Sequence, residues 1–323
     1  MARADLLVHL VRAAKERDDG ELGRTVESMI AEERGKQHHL LAERLENALR
    51  ASAPTGNGGG GSAEPEPRTG FAVVTPRRPL DDLILPESAR TAVEELIEEQ
   101  QRTEVLRAHA LEPRHRVLLT GPPGNGKTSL GEAIAEALLL PLVVVRYEEV
   151  IGSYLGETAA RVAAVFSFAR TRRCVLFFDE FDALAKERGD EHETGEIKRV
   201  VSSLLLQVDA LPSHVVVVGA SNHPELLDRA VHRRFQLRLE LPLPGKVARI
   251  AWFERLLADL EEPVGLSAET LARRTTGASF SQLQDLAEDI LRRRVLEPGT
   301  SLRRLVPDRL RRWREVAALE AHA

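Results

Sequence analysis

The residues with the clearest chemical potential form a glycine-rich segment, residues 121–128, with the sequence GPPGNGKT. An apolar run, residues 116–120, precedes it, and a helix-compatible run, residues 129–140, follows it. A glycine-rich turn between a strand and a helix directs backbone N–H groups at bound phosphate. In that setting Lys127 reaches the β- and γ-phosphates, and the Thr128 hydroxyl is a ligand for Mg²⁺. The residues expected to contact the nucleotide here are Pro123, Gly124, Asn125, Gly126, Lys127, Thr128 and Ser129.

Two acids follow a second apolar run. Residues 174–178, with the sequence CVLFF, read as a buried strand that ends at Asp179 and Glu180. In doubly wound sheets, ligands bind at the carboxyl ends of the strands, so these acids are expected beside the phosphates. Asp179 can hold Mg²⁺ through water, and Glu180 can polarise an attacking water as a general base. A pair of solvated acids is the alternative. The combination with the glycine-rich loop favours ATP hydrolysis with Mg²⁺.

Strands and helices alternate in the middle of the chain. The strands are predicted at residues 117–120, 142–146, 175–179, 215–220 and 236–241, with helical periodicity between them. This alternation predicts an α/β fold in which a parallel five-stranded sheet is covered on both faces. After residue 244 only helical patterns occur, ending in an arginine-rich run. A helical domain over residues 244–323 is therefore expected beside a large domain over residues 79–243.

The N-terminal part of the chain differs in composition. Residues 1–50 have apolar residues at helical spacing and predict a small helical module. So short a segment makes a marginal core, so we expect it to pair with copies of itself or to bind a partner or substrate. Residues 51–78 are rich in Gly, Pro, Ser and Glu, which predicts a flexible linker.

The bulk composition restricts the class of protein. The chain has 323 residues and a formal net charge of −5, which does not indicate a polyanion-binding protein. The single cysteine, Cys174, excludes an internal disulfide framework. No apolar run is long enough to span a bilayer and no signal-peptide core is present, so a cytoplasmic location is expected.

Three further segments complete a family pattern. They are residues 153–158 (SYLGET), 216–224 (VVVGASNHP) and 227–235 (LDRAVHRRF). Together with the glycine-rich loop and the two acids, they make residues 80–296 resemble AAA-type ATPases, of the AAA+ superfamily, in the protein-remodelling branch. The resemblance implies a P-loop α/β domain followed by a helical lid domain. The N-terminal module and the linker lie outside it.

The resemblance assigns roles to residues at the ends of two predicted strands. Asn222 is similar to the sensor asparagine, which contacts the attacking water or the γ-phosphate between the loop and Asp179. Arg233 and Arg234 are similar to the arginines that project into the nucleotide of a neighbouring subunit. These roles imply that the protein forms a homo-oligomeric ring, a hexamer, and that a monomer hydrolyses ATP poorly. Two solvated surface arginines are the alternative.

The segment at residues 153–158 resembles the pore loop of rings that thread protein. Tyr154 and Leu155 would grip a polypeptide in an axial channel by apolar contact. The alternative is that both residues pack against the sheet. The loop over residues 188–196 would be a second pore loop.

The resemblance also implies where adenine binds. Gly277 and Ala278 are similar to the lid residues that close over adenine, although polar residues 281–282 stand where the family commonly has an acid. Leu83 and Ile84 fall where the family lines the adenine pocket, without the paired glycines often found there.

These features favour a Mg-ATP-hydrolysing ring that remodels, unfolds or disassembles protein clients through its pore. A partner peptidase would have to be another chain, because no His-Glu-x-x-His or Gly-x-Ser-x-Gly pattern occurs. A nucleic-acid-remodelling ATPase is the first alternative, supported by the arginine-rich C-terminus, although such runs are more often solvated helix faces. An ATP-gated scaffold that regulates an effector is the second. No contact with a membrane is expected.

Overall fold

The computed structural model describes residues 71–146, 155–182, 204–227, 229–260, 262–297 and 299–320, with the side chains of 155–159 and 316–320 left out. The chain divides into two units, Met1–Glu66 and Pro67–Ala323, and every described residue belongs to the second. The predicted N-terminal module, Tyr154 and the predicted second pore loop lie outside the described residues. So does the side chain of Leu155, which is the first residue of a helix.

A six-stranded sheet forms the centre of the described unit. Its strands are β1 (Phe71–Val74), β2 (Arg116–Thr120), β3 (Leu142–Val145), β4 (Cys174–Phe178), β5 (Val215–Ser221) and β6 (Leu237–Glu240). The order across the sheet is β1-β3-β4-β5-β2-β6. Strands β2 to β6 pair in parallel, whereas β1 pairs antiparallel with β3. The predicted α/β fold and its five parallel strands are confirmed.

The sixth strand, β1, differs from the expectation, because it lies inside the segment predicted as a linker. It has four residues, of which only Phe71 is partly buried, and it is hydrogen-bonded to one neighbour only. A short edge strand of this kind buries little apolar surface, so its sequence lacks the alternation that reveals a half-buried strand.

Nine helices are bounded within the described residues. They are α1 (Glu87–Gln101), α2 (Thr103–Ala108), α3 (Lys127–Leu138), α4 (Leu155–Arg170), α5 (Arg229–Arg234), α6 (Lys246–Ala258), α7 (Ala268–Arg274), α8 (Phe280–Leu296) and α9 (Leu302–Glu320). Residues 204–209 are also helical, and Leu80–Asp82 and Pro224–Leu226 form short 3₁₀ turns. Among the helices that the structure describes, none combines the length and apolarity needed to cross a bilayer.

The sheet is covered on both faces, which explains its uninterrupted apolar strands. Every residue of β4 and of β5 is buried. Because alternate residues of a strand point to opposite faces, Leu118 joins the cluster on one side and Val117 the cluster on the other. Helix α4 supplies Phe166 to the first cluster, and α3 supplies Ile134 to the second.

Helices α6 to α9 pack around a third apolar cluster, which includes Phe253, Leu283 and Leu302. Two hydrogen bonds join this helical part to the sheet-containing part, one at the glycine-rich loop and one at the 3₁₀ turn Leu80–Asp82. The backbone N–H of Ser281 donates to the Gly124 carbonyl at 2.9 Å, and Arg255 Nη1 donates to the Asp82 carbonyl at 2.9 Å. The N-terminus of α8 therefore lies directly against the glycine-rich loop.

Candidate active site

The loop between β2 and α3 depends on glycine at two positions. Gly121 has φ +134°, and a Cβ there would collide with the carbonyl oxygen of Leu241. Gly124 has φ +73°, and its Cβ would lie 2.8 Å from Ser281 Cβ and 2.9 Å from Ser279 Oγ. A side chain at either position would therefore be strained and would displace neighbouring backbone or the start of α8. The glycines let the loop pass between the sheet and the helical part.

Lys127, the first residue of α3, is held inside this loop. Its side chain is buried, and Nζ donates hydrogen bonds to the Gly121 carbonyl at 2.7 Å and the Pro122 carbonyl at 2.9 Å. Burial lowers the pKa of Lys127, while the charges of Asp179 and Asp182 act in the opposite direction. No carboxylate of the described residues forms an ion pair with it. A buried cation without a counter-ion, at a helix N-terminus, fits an anionic ligand.

The two predicted acids lie where the chain leaves β4. The Asp179 backbone N–H donates to the Val145 carbonyl at 3.2 Å, which continues the ladder with β3. Glu180 is exposed and has φ +51°, a left-handed conformation that is uncommon for a residue with a side chain. Its backbone N–H donates to Asp179 Oδ1 at 3.0 Å. Such local strain persists only where neighbours enforce it, and it is common at functional sites.

A third acid, Asp182, joins the ends of β4 and β5. It is buried, and its Oδ1 accepts a hydrogen bond from the Asn222 backbone N–H at 3.2 Å. The Phe181 backbone N–H donates to the Ala220 carbonyl at 2.7 Å. These two bonds place Asn222 beside the two acids. Asp182 is not among the site residues predicted from the sequence, although it follows Glu180 by two residues.

A cavity of about 660 Å³ lies between the loop, the strand ends and α8. The predicted residues that line it are Leu83, Ile84, Pro123, Gly124, Asn125, Gly126, Lys127, Thr128, Ser129, Asp179, Glu180 and Asn222. The residues that the sequence analysis did not assign to it are Arg78, Asp82, Leu85, Trp252, Phe280, Ser281, Gln284 and Glu288. The structure therefore brings together the loop, acids and asparagine predicted from three separate segments.

The predicted lid residues Gly277 and Ala278 do not line this cavity. Ala278 is buried in the cluster of the helical part instead. The cavity wall is the start of α8, where Ser279 Oγ accepts from the Gln282 backbone N–H and the Gln282 side chain accepts from the Ser279 N–H. Gln282, one of the polar residues that replace the common acid, thus completes a capping box. The lid contact comes from residues just after the predicted pair.

The predicted trans-acting arginines lie far from the cavity of their own chain. Arg234 Nε donates to Asp209 Oδ2 at 2.8 Å, and Arg116 Nη1 donates to Asp209 Oδ1 at 3.0 Å. Arg116 is the first residue of β2, whereas the loop follows the last residue, Thr120. At about 3.3 Å per residue, the two ends of β2 are roughly 13 Å apart. Arg233, the neighbour of Arg234, is exposed and forms no ion pair with a described residue.

Sequence comparison adds to this geometry. The model of the ATPase family associated with various cellular activities (AAA) matches residues 117–243. The uncharacterized AAA family ATPase y4kL of Sinorhizobium fredii is 34% identical over 303 residues, which are 92% of this chain and 91% of that protein. The chain belongs to the AAA family of ATPases. It is therefore an enzyme that hydrolyses ATP, and the cavity that holds Lys127 and Glu180 is its candidate nucleotide site.

Two further relatives are similar to this AAA ATPase over a smaller share of their length. The cell division cycle protein 48 homolog of Archaeoglobus fulgidus is 34% identical over 204 residues, which are 61% of this chain and 28% of that protein. The putative 26S proteasome regulatory subunit homolog of Methanothermobacter marburgensis is 34% identical over 183 residues, 56% of this chain and 48% of that protein. The similarity to these two proteins therefore concerns part of each.

The oxygen groups of the cavity fit Mg²⁺ only together with the phosphates of a nucleotide. The described residues contain no cluster of three or more His, Cys, Asp or Glu side chains that could hold a metal ion. The cavity instead presents the Thr128 hydroxyl and the Asp179 carboxylate. This set suits Mg²⁺, which commonly takes one or two protein ligands and completes its shell with phosphates and water.

Trp252 offers a direct test of where the nucleotide binds. The chain has two tryptophans, which both pack against the third cluster, but of the two only Trp252 on α6 lines the cavity, and Trp313 on α9 does not. ADP binding is expected to change the fluorescence of Trp252. In a titration, Trp252→Phe should lose nearly all of the nucleotide-dependent signal, and Trp313→Phe should retain it. A signal that survives in Trp252→Phe and disappears in Trp313→Phe would place the nucleotide elsewhere.

Proposed function

We propose that this AAA ATPase assembles into a homo-oligomeric ring, a hexamer, that hydrolyses Mg-ATP to remodel, unfold or disassemble protein clients through an axial pore. The observation that carries the proposal is the position of Arg233 and Arg234. Arg234 lies near the amino end of β2, on the side of the sheet opposite the cavity, and Arg233 is the exposed residue before it on α5. They can stabilise a transition state only in a cavity that belongs to another copy of the chain.

The residues of the cavity have complementary roles in the proposed hydrolysis. Lys127 and the loop N–H groups bind the phosphates, and Thr128 and Asp179 would hold Mg²⁺, which neutralises phosphate charge when it is bound. Glu180 accepts a proton from the attacking water, and Asn222 orients that water. Glu180, with its left-handed backbone, lines the cavity together with Asn222. The arginine of a neighbouring subunit completes the charge compensation.

The C-terminal arginines support a protein client over a nucleic-acid client. Nine arginines lie between residues 292 and 314, and five of them form ion pairs with acids of the same helical part. The pairs are Arg292–Glu288, Arg293–Glu297, Arg294–Glu262, Arg309–Asp289 and Arg312–Asp308. Arginines that are neutralised in this way contribute less to binding a polyanion. The name of one relative, a putative 26S proteasome regulatory subunit homolog, also favours a protein client.

Tyr154→Ala tests the pore in the proposed function. The aromatic ring is proposed to grip the client, whereas ATP is hydrolysed by residues of the cavity. We therefore expect about a fivefold loss of client processing or more, with ATP turnover within about twofold of the parent, since one aromatic contact is worth about 1 kcal/mol. The client is first recovered on Glu180→Gln rings in ATP, and its unfolding is then followed in a pulse-proteolysis assay.

Tyr154→Phe is the matched control, because it retains the ring and removes only the hydroxyl. Unfolding by this variant should stay near that of the parent. Normal processing by Tyr154→Ala would contradict threading by this residue, whereas a parent ring that binds its client without unfolding it would favour the ATP-gated scaffold. A nucleic acid recovered on the Glu180→Gln rings in place of a protein would favour the nucleic-acid alternative.

A further inference from the structure

Arg78 reaches the nucleotide cavity from a segment that the sequence analysis assigned to the linker. It lies between β1 and the 3₁₀ turn Leu80–Asp82, and it lines the cavity. Its Nη1 donates a hydrogen bond to Ser129 Oγ at 2.8 Å. Ser129 follows Lys127 and Thr128 in the first turn of α3. The guanidinium of Arg78 is therefore attached to the helix that begins at the phosphate-binding loop.

The charge of Arg78 is not neutralised by the described part of the chain. Of the described residues that line the cavity, only Arg78 and Lys127 are cations. Arg78 forms no ion pair with a described carboxylate, whereas the nearby Arg90 pairs with Asp81 at 3.2 Å and Glu94 at 3.6 Å. An arginine without an acidic partner, at the wall of a phosphate-binding cavity, is available to a bound anion.

The position of Arg78 indicates which of the three phosphates of ATP its guanidinium contacts. Leu83, Ile84 and Leu85 form an apolar wall, which suits a base, and Arg78 lies a few residues before them. Lys127 lies at the other end, inside the loop, where the β- and γ-phosphates are expected. The hydrogen bond to Ser129, two residues beyond Lys127 on α3, and the apolar wall that follows Arg78 in the chain together point to a place between the nucleoside end and the β- and γ-phosphates. The α-phosphate occupies that place in a nucleoside triphosphate.

We propose that Arg78 is a further nucleotide-binding residue, whose guanidinium contacts the α-phosphate within its own subunit. The bond from Nη1 to Ser129 orients the guanidinium and leaves Nε and Nη2 free to donate to phosphate oxygens. The inference rests on the proposed binding of ATP in this cavity. It adds a cis-acting arginine to the trans-acting pair Arg233 and Arg234.

The test compares Arg78→Ala with Arg77→Ala. Arg77 is the adjacent arginine and does not line the cavity; its described contact is a backbone N–H that donates to Glu132 Oε1 at 3.1 Å, which the substitution keeps. Calorimetry measures the Kd for ADP and adenosine on each variant, and the Kd for ATP in the Glu180→Gln background. Arg78→Ala is expected to weaken ADP and ATP by a similar factor, about tenfold or more, since a charged hydrogen bond is lost. Arg77→Ala should bind ADP and ATP with Kd values close to those of the parent.

The pattern across ligands assigns the phosphate once AMP is titrated as well, because ADP and ATP both carry the α- and β-phosphates. A contact with the α-phosphate should weaken AMP and ADP by a similar factor, whereas a contact with the β-phosphate should leave AMP unchanged. Adenosine affinity should not change in Arg78→Ala, and the steady-state defect should appear in KM more than in kcat. Ser129→Ala, which removes the orienting hydroxyl, should show a smaller loss in the same direction. Equal melting temperatures of Arg77→Ala and Arg78→Ala without nucleotide would show that the loss is not one of folding.

Three results would overturn the inference. They are an unchanged Kd for ADP in Arg78→Ala, a loss confined to ATP, which would indicate the γ-phosphate, and an equal loss in Arg77→Ala. Lys127→Ala separates this failure from a failure of the cavity as the nucleotide site. If Lys127→Ala abolishes ADP binding while Arg78→Ala is silent, only the role of Arg78 is wrong. If Lys127→Ala also binds ADP normally, the site itself is wrong.

Discussion

Arg234→Ala is expected to lower ATP turnover by about 10³- to 10⁵-fold while ATP still binds. The side chain lies at the edge of the sheet opposite its own cavity, so it is proposed to act on the nucleotide of a neighbouring subunit. Its loss removes transition-state stabilisation and leaves the binding residues Lys127 and Thr128 in place. The fold should tolerate the change, because Asp209 keeps its ion pair with Arg116. Phosphate release measures turnover, and calorimetry measures binding.

A mixing experiment tests whether this arginine acts in trans. Subunits with Arg234→Ala have an intact cavity, and subunits with Lys127→Ala have an intact Arg234. Each variant alone should be nearly inactive, whereas rings assembled from both should recover a measurable part of the parental turnover. Arg238→Ala, an exposed arginine on the adjoining strand β6, is the matched control and should remain active. If the mixture were no more active than either variant alone, or if a monomer were fully active, a site shared between two subunits would be contradicted.

Glu180→Gln is expected to lower turnover by about 10²- to 10⁴-fold, because the amide cannot accept the proton of the attacking water. ATP should remain bound, since Glu180 makes no described contact with Lys127 or Thr128. The substitution keeps the size of the side chain, so the left-handed backbone at this position is not disturbed further. A single-turnover assay separates the chemical step from binding and product release.

Glu136→Gln is the matched control for this prediction. It makes the same chemical change on α3, outside the cavity, and should leave turnover near the parental value. Turnover at the parental rate in Glu180→Gln would exclude Glu180 as the general base. Asp179 and Asp182 would then be the candidates for that role. Loss of ATP binding instead of turnover would indicate a structural role for Glu180.

The part of the site that is local in sequence was predictable from sequence. The segment from Pro123 to Ser129 comprises the end of the loop after β2 and the first turn of α3, so its phosphate-binding geometry is set by neighbouring residues. Asp179 and Glu180 were predictable because an uninterrupted apolar run identifies a central strand, and parallel strands deliver their carboxyl ends to one edge. The assignments of Asn222, Arg233 and Arg234 required a family pattern in addition.

Only the tertiary structure decided which distant segments complete the cavity. Arg78 is near Ser129 because β1 pairs with β3 at the sheet edge and returns the chain to α3, a path that a short exposed strand does not reveal in sequence. Glu288 on α8 reaches the cavity because the start of that helix is hydrogen-bonded to Gly124, and Trp252 on α6 reaches it because Arg255 of the same helix is hydrogen-bonded to the Asp82 carbonyl. Hydrophobic periodicity identifies elements and their buried faces, whereas contacts between remote elements depend on how those faces pack together. The sequence alone therefore determined the phosphate-binding centre, and packing determined the rest of its wall.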